Sequence, residues 1–300
     1  MPVIKIRNRE ISYDFEFKQK FLFIRGDSGV GKTSLIQLVA DYNLNPDAVN
    51  CDGDTNIRVL ISKNDLTEHG LIFFLDENSP LLVESQSASL FNASDNYFVI
   101  ITRSRKFNGF KTGLDSIVTM FPGADGTHTV EPTYPRKEHL NILGDRIVCE
   151  DTKSGKQFLE KVLRIEIDSA GSKDRFGIAL RKLKTHYKES KFTIVYDRAG
   201  ISFSYADQMD YLKAIGVEII SEIDWDSFES YILESDEYGV EVPWYPDKET
   251  NATRLFQQCI SNNYTKSSIP EDMKLPVYWK VKEALVCMQR PDNKLTRVEF

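Results

Sequence analysis

A short glycine-rich stretch near the N-terminus has the residue types and the spacing needed to hold the phosphates of a nucleotide. It reads GDSGVGKT and fits the pattern G-x-x-x-x-G-K-S/T, with Gly26, Gly31, Lys32 and Thr33 at the fixed positions. Glycines allow successive backbone N–H groups to turn inward towards a β-phosphate. Lys32 is predicted to reach the β- and γ-phosphates, and the hydroxyl of Thr33 to coordinate Mg²⁺. The residues predicted to contact the nucleotide are Gly26, Asp27, Ser28, Gly29, Val30, Gly31, Lys32, Thr33 and Ser34.

The elements predicted around this stretch are those that the pattern requires. The apolar residues 21–24 precede it and predict a buried strand, while residues 34–42 follow with helical spacing. A strand, a glycine turn and a helix would place the positive N-terminal end of the helix beside the phosphates. The alternative is an ordinary glycine turn with an incidental lysine, which the flanking strand and helix disfavour.

An acidic pair stands where a second buried strand is predicted to end. The apolar run of residues 71–75 leads directly into Asp76 and Glu77. Asp76 is predicted to bind Mg²⁺ through water, and Glu77 to polarise the water that attacks the γ-phosphate. The pair favours hydrolysis, because a nucleotide-sensing switch needs no carboxylate base there. The alternative is a solvated turn.

A third apolar run, residues 97–101, ends in Thr102, Arg103 and Arg105. A hydroxyl and a guanidinium at this strand end could sense the γ-phosphate and stabilise its charge, although the arginines could equally be surface charges. The residues predicted to take part in catalysis are therefore Lys32, Glu77, Thr102 and Arg103.

These three segments together resemble the additional-strand class of P-loop ATPases, the group that contains AAA and ABC-type ATPases. The resemblance covers about the first 105 residues and implies ATP and Mg²⁺ as cofactors. No LSGGQ-like signature occurs in the sequence, which argues against an ABC-type sandwich dimer. No guanine-reading N/T-K-x-D motif follows the loop, so ATP is favoured over GTP.

A second pattern of alternating strands and helices begins at Arg146, and it predicts a parallel sheet with both faces covered. Ligands of such sheets gather at the carboxyl ends of the strands. Glu150 and Asp197 are predicted to lie at two of these ends, and two converging carboxylates are usually relieved by a divalent cation. The alternative is a plain α/β domain whose strand-end acids are solvated.

This second pattern resembles the Toprim fold of topoisomerases, primases and overcoming-lysogenization-defect nucleases. The segment VCEDTKSGKQF is similar to the first Toprim motif, and the resemblance implies that Glu150 and Asp197 hold Mg²⁺ against a phosphodiester. The sequence departs from the family where a D-x-D pair is expected, because it has Asp197, Arg198 and Ala199. Cation binding would then need help from another acid, for which Asp151, Asp168 and Glu229 are the candidates.

The composition predicts a folded, soluble protein, and the alternating strands and helices predict an α/β fold. The chain has 300 residues, 41% of them apolar, and a net charge of −7. It contains no signal peptide and no apolar run long enough for a membrane span, which predicts a cytoplasmic protein without a membrane partner. Residues 146–191 nevertheless carry 12 Lys and Arg against 7 Asp and Glu. A basic face there could follow a phosphate backbone or could simply be solvated.

The predicted organisation is a P-loop domain over residues 1–140, a Toprim-like βα domain over 141–238 and a short helical C-terminal extension over 239–300. The hairpin predicted in residues 114–134 is placed at the edge of the first domain.

Two functional hypotheses follow. In the first, an ATPase gates a Toprim-like domain that acts on DNA or RNA, as in bacterial defence or mobile-element proteins. In the second, an ATP-dependent regulator uses a degenerate Toprim-like domain to bind a protein partner or a second copy of itself, without cleavage. A small-molecule kinase is disfavoured, because it does not explain the pair formed by Asp76 and Glu77.

Overall fold

The structure is a computed structural model that describes residues 1–83, 87–103, 110, 113–135, 144–152, 155–156, 159–160, 165–172, 175–198, 204–234 and 241–260. These residues form two compact units. The first contains Met1–Pro135 together with Trp244–Asp247, and the second contains the remaining described residues from 144 onwards. Both units have an α/β architecture, as the sequence predicts.

The first unit is built on a mixed sheet. Its strands are β1 (Val3–Arg7), β2 (Ser12–Glu16), β3 (Phe21–Arg25), β4 (Asn50–Cys51), β5 (Ile57–Val59), β6 (Ile72–Asp76), β7 (Tyr97–Ile101), β8 (Ile117–Pro122) and β9 (Thr127–Pro132). Their order across the sheet is β4-β1-β2-β9-β8-β3-β7-β6-β5. The helices are α1 (Lys32–Leu44), α2 (Pro80–Val83) and α3 (Ser87–Ala93), with 3₁₀ turns at Pro46–Ala48, Lys63–Thr67 and Leu114–Ser116.

The three parallel strands β3, β7 and β6 form the centre of this unit, and their continuous apolar sequences reflect burial on both faces. One face, which includes Leu22 and Phe74, packs with Leu35 and Val39 of α1. The opposite face carries a cluster of aromatic rings, whose members are Phe21, Phe23, Phe73, Phe91, Phe98 and Phe110. The sheet therefore fixes the carboxyl ends of β3, β7 and β6 side by side.

The hairpin predicted in residues 114–134 exists as β8 and β9, but its place differs from the prediction. It lies inside the sheet, where β8 pairs with β3 and β9 pairs with β2. Because these pairings join segments distant in the sequence, the local turn pattern of the hairpin could not reveal them.

The second unit is built on a parallel sheet, as predicted. Its strands are β10 (Arg146–Cys149), β11 (Asp168–Ser169), β12 (Phe192–Asp197) and β13 (Ile219–Trp225), in the order β11-β10-β12-β13. Its helices include α4 (Phe176–His186), α5 (Ser204–Ala214), α6 (Phe228–Leu233) and α7 (Lys248–Ile260). Of the described residues 165–172, Asp168 and Ser169 form the strand β11. Of the predicted C-terminal extension, residues 261–300 lie outside the described residues.

Within the described part of the chain, no helix combines the length and the apolar composition needed to cross a bilayer.

Candidate functional site

The glycine-rich loop connects the end of β3 to the first residue of α1, in the predicted order of strand, turn and helix. Gly31 has a φ of 87°, a left-handed conformation that favours glycine. A methyl group on Gly31 would lie 2.7 Å from Nε2 of His128 and 3.0 Å from the hydroxyl of Tyr13. The glycine is thus required both by the backbone conformation and by lack of space.

Lys32 is buried under this loop. Its Nζ donates hydrogen bonds of 2.6 Å to the carbonyl oxygens of Gly26 and Asp27. Burial lowers the pKa of Lys32, and the nearby positive charge of Arg103 lowers it further, while Glu77 and Asp27 act in the opposite direction. The ammonium group therefore lacks full compensation for its charge, which an anionic ligand would provide.

The N-terminus of α1 is open to a ligand. Thr33 and Ser34 are exposed, and the first turn contains no acidic residue. The positive end of the helix dipole is consequently not neutralised by a carboxylate within its own first turn.

Asp76 and Glu77 lie close to the loop because β7 pairs in parallel with both β3 and β6. Asp76 is the last residue of β6, and its Oδ1 accepts hydrogen bonds from the backbone N of Asn78 at 2.9 Å and from Nδ2 of Asn78 at 2.7 Å. The turn after β6 thereby holds the orientation of the Asp76 carboxylate.

Arg103 connects Glu77 to the loop. Its backbone N–H donates to Oε2 of Glu77, its Nε lies 3.6 Å from Oε1 of Glu77, and its Nη2 lies 3.5 Å from Oγ of Ser28. Thr102 is fully buried, with its backbone N bound to the carbonyl oxygen of Ile24 at 3.0 Å. Of the predicted sensor residues, Arg103 has a side chain that approaches the loop, through Ser28. Arg105 lies outside the described residues.

Two residues that the sequence reading passed over, Tyr13 and His128, also contact the loop. The hydroxyl of Tyr13 donates to the carbonyl oxygen of Gly31 at 2.6 Å and is hydrogen-bonded to the hydroxyl of Ser34. Burial raises the pKa of Tyr13 far above its usual value, so its hydroxyl remains protonated and able to donate. The alternation of polar and apolar residues in ISYDFEF indicates a strand with Tyr13 facing inward, but nothing local indicates its partner.

In the second unit, Glu150 and Asp197 lie at the same edge of the parallel sheet, as predicted, because Cys149 is paired with Val195. Oε2 of Glu150 accepts a hydrogen bond of 3.0 Å from the backbone N of Asp197. Oδ1 of Asp197 accepts one of 3.0 Å from the backbone N of Phe228. Both residues line a small cavity of about 60 Å³.

The acids proposed to assist this pair have different positions. Asp151 lines the same cavity, and its Oδ2 accepts a hydrogen bond of 2.8 Å from the backbone N of Gly155. Asp168 instead forms an ion pair of 2.6 Å with Arg146, and Glu229 is buried on α6. Among the residues that the structure describes, no group of three or more His, Cys, Asp or Glu is arranged to hold a metal ion.

The side chain of Arg198, which directly follows Asp197, is only 1% exposed. A guanidinium is thus buried at the position between the two acids that the D-x-D pattern would have. Ala199, which replaces the second acid, lies outside the described residues.

A basic groove lies beside β11. We use this name for the cavity of about 430 Å³ that is lined by two basic residues, Arg175 and Lys182, by Asp168 and Ser169 of β11, and by apolar residues of α4 such as Ile178. The segment from Arg175 to Lys188 contains five Lys or Arg and no Asp or Glu. The predicted excess of positive charge is therefore concentrated on one helix and its immediate neighbours.

The chain matches no family model, no curated protein and no solved structure.

Proposed function

We propose that the first unit binds and hydrolyses ATP. The observation that carries this proposal is the convergence of the loop, Lys32, Asp76, Glu77 and Arg103 at the carboxyl edge of three adjacent parallel strands. An additional strand, β7, separates the strand of the loop from the strand of the acidic pair. This arrangement supports the resemblance to additional-strand ATPases.

Each residue has a role in this reaction. Lys32 would exchange the carbonyl oxygens of Gly26 and Asp27 for the β- and γ-phosphates, which compensate its charge more fully. Glu77 would accept a proton from the attacking water, and Arg103 would neutralise charge on the γ-phosphate. The hydroxyl of Thr33 and the carboxylate of Asp76 are oxygen donors of the kind that Mg²⁺ prefers, so they fit this ion. Bound Mg²⁺ would neutralise phosphate charge.

The proposal for the first unit is tested by measuring ATP binding and phosphate release for the wild type and two variants. Lys32→Ala is expected to abolish binding, whereas Glu77→Gln should bind ATP but lose hydrolysis by about 100-fold or more. Lys5→Ala, which removes an exposed lysine of the same unit, should behave as the wild type. A wild type that does not bind ATP with Mg²⁺ would overturn the proposal.

For the second unit, we propose that it acts on DNA or RNA under control of the ATPase. The basic groove supplies cations for a phosphate backbone, and the carboxylates of Glu150 and Asp197 lie at the adjoining edge of the sheet. This pair could retain Mg²⁺ only with additional oxygen ligands, such as those of a nucleic-acid phosphate.

The test is to measure nucleic-acid binding and cleavage with Mg²⁺ or Mn²⁺. The double variant Arg175→Glu and Lys182→Glu should weaken binding by about tenfold or more at low salt. The same change of charge at Lys5 and Arg7, on the first unit, is the control. Glu150→Ala should remove any cleavage while leaving binding in place. Unchanged binding by the Arg175 and Lys182 variant would contradict the role of the groove.

A second candidate function, an ATP-dependent regulator that binds a protein without cleavage, is favoured by a different observation. Arg198 is buried beside Asp197, and the described residues contain no three-acid group for a metal. An ATP-dependent protein partner, together with a Glu150→Ala variant that behaves as the wild type, would select this function.

A further inference from the structure

We propose that Tyr13 and His128 are positioning residues for the nucleotide, which hold the end of the phosphate loop in the conformation that receives the β-phosphate. This inference depends on the proposed ATP binding of the first unit. It assigns a role to two residues that lie outside the sequence pattern of the loop.

The two residues are placed together by the sheet. Tyr13 on β2 and His128 on β9 are direct partners in the parallel pairing of these strands. Their ring centroids are 5.0 Å apart with an angle of 37° between the planes. A hydrogen bond of 3.1 Å between the hydroxyls of Ser12 and Thr127 supports the same register. Both rings are buried, so they present a fixed surface to the loop.

Tyr13 acts on the peptide bond between Gly31 and Lys32. The carbonyl oxygen of Gly31 accepts a hydrogen bond of 2.6 Å from the hydroxyl of Tyr13. It also accepts one of 3.0 Å from the backbone N of Leu35, which is the first backbone hydrogen bond of α1. In a planar trans peptide the C=O and the following N–H point in opposite directions. Fixing the carbonyl of Gly31 therefore directs the N–H of Lys32 out of the helix terminus, where a phosphate would be bound.

His128 acts by contact. Its Nδ1 lies 3.1 Å from the carbonyl oxygen of Gly126, which orients the ring so that Nε2 and Cδ2 face Gly31. No room for even a methyl group is left between the ring and Gly31. The loop therefore cannot move towards the sheet, and Gly31 keeps its left-handed conformation.

This role predicts which ligands are affected. Because the loop would surround the β-phosphate, which ATP and ADP share, loss of the Tyr13 hydroxyl should weaken the binding of ATP and of ADP by the same factor. That factor is about 3- to 10-fold, the value of one net hydrogen bond. The turnover number at saturating ATP should change less than twofold, since the γ-phosphate and Glu77 are not touched.

The experiment compares Tyr13→Phe with Tyr196→Phe, a matched control. Tyr196 is also a buried tyrosine whose hydroxyl donates a hydrogen bond, of 3.0 Å to Glu222, but it belongs to the second unit. Dissociation constants for ATP and ADP are measured by calorimetry, and amide hydrogen exchange of Leu35 is measured without nucleotide. Tyr13→Phe should weaken the binding of both nucleotides and accelerate the amide exchange of Leu35, each by at least threefold. Tyr196→Phe should change neither quantity. His128→Ala should change affinity and exchange in the same direction as Tyr13→Phe.

The outcomes separate this inference from the proposed function. A folded Tyr13→Phe variant with wild-type affinity would overturn the inference alone, as would an equal loss of affinity in Tyr196→Phe. If Tyr13→Phe proves too unstable for calorimetry, unchanged affinity and unchanged Leu35 exchange in His128→Ala would overturn it. A wild type that binds neither ATP nor ADP would overturn the proposed function and the inference together.

Discussion

At the scale of single residues, the loop site of the first unit contains positive charge that the protein only partly compensates. Lys32 is held by backbone carbonyl groups, and its pKa is lowered by burial and by Arg103. Arg103 is bound to Glu77, the carboxylate proposed to act as the base. Lys32 has only carbonyl oxygens as hydrogen-bond acceptors of its Nζ in these contacts, so the proposed triphosphate would add anionic oxygens beside it.

We expect Arg103→Ala to lower the turnover number for ATP by about 100-fold, because a cation near the γ-phosphate stabilises charge in the transition state. The Michaelis constant should change much less. Phosphate release at saturating ATP is the measurement, and Arg103→Lys should recover part of the rate. Arg58→Ala, which breaks an exposed ion pair with Glu68 in the same unit, is the control. A turnover number unchanged in Arg103→Ala would exclude this role.

Cys149 gives a prediction about alkaline stability. Burial raises the pKa of its thiol from about 9 to about 12. Between these values the unfolded chain loses the proton while the folded chain keeps it. The free energy of unfolding of the second unit should therefore fall, by about 1.4 kcal/mol per pH unit from this group. Denaturant unfolding of Cys149→Ala between pH 9 and 11 should show a shallower decline than the wild type, and identical declines would contradict the burial of the thiol.

At the scale of elements, strand β7 determines the geometry of the loop site in the first unit, and the turns after β10 and β12 determine that of the acid pair in the second. Strand β7 places its Ile101 opposite Asp76 of β6, so the acidic pair and the residues that follow β7 share one edge of the sheet. In the second unit, the carboxylate of Asp197 accepts from the first residue of α6 and so acts as a cap for that helix. Asp197 therefore has a structural role whether or not it holds a metal.

Asp197→Ala should destabilise the second unit by about 1 kcal/mol, the usual cost of losing a helix cap. Glu189→Ala, at an exposed acid of the same unit, should cost far less. The two variants are compared by urea unfolding with and without Mg²⁺. A purely structural role predicts the same loss in both conditions. Stabilisation by Mg²⁺ of the wild type but not of Asp197→Ala would instead show that the carboxylate holds the ion.

The elements also show which parts of the fold could be predicted from sequence patterns. Strands β3, β6, β7 and β12 and helix α1 were predicted because each has a continuous apolar run or helical spacing within a few residues. The contact of Tyr13 with His128 could not be predicted, since it depends on the pairing of strands 115 residues apart in the chain. The ion pair that binds Asp168 to Arg146 was missed for the same reason: charge and position in the sequence do not reveal a partner across the sheet.

At the scale of the whole molecule, the proposed nucleotide site and the excess of positive charge belong to different units. The loop, the acidic pair and Arg103 belong to Met1–Pro135, while the basic groove and the strand-end acids belong to the unit that follows. The net charge of −7 hides this division, because the positive charge is concentrated around α4. An ATPase coupled to a nucleic-acid-binding unit fits that distribution.

ATP should raise the free energy of unfolding of the first unit and leave that of the second unit unchanged. At a concentration of 100 times its dissociation constant, a ligand of the folded state adds about 2.7 kcal/mol. Hydrogen exchange with and without ATP and Mg²⁺ can localise this effect, which should cover α1 and β3 and be absent in Lys32→Ala. Equal protection of Lys32→Ala would show that ATP binds elsewhere.

The position of β9 beside β2 also determines when the first unit can fold. A ribosome makes β2 and the glycine-rich loop before β9, and His128 follows Ser34, the last residue of the loop, only after about 90 further residues have been added. Pairings between such distant segments are slow to form, because the entropy of closing the intervening chain must be overcome first. The glycine-rich loop therefore acquires its final surroundings well after its own synthesis, so the nucleotide binding proposed for it should begin only after β9 has left the ribosome.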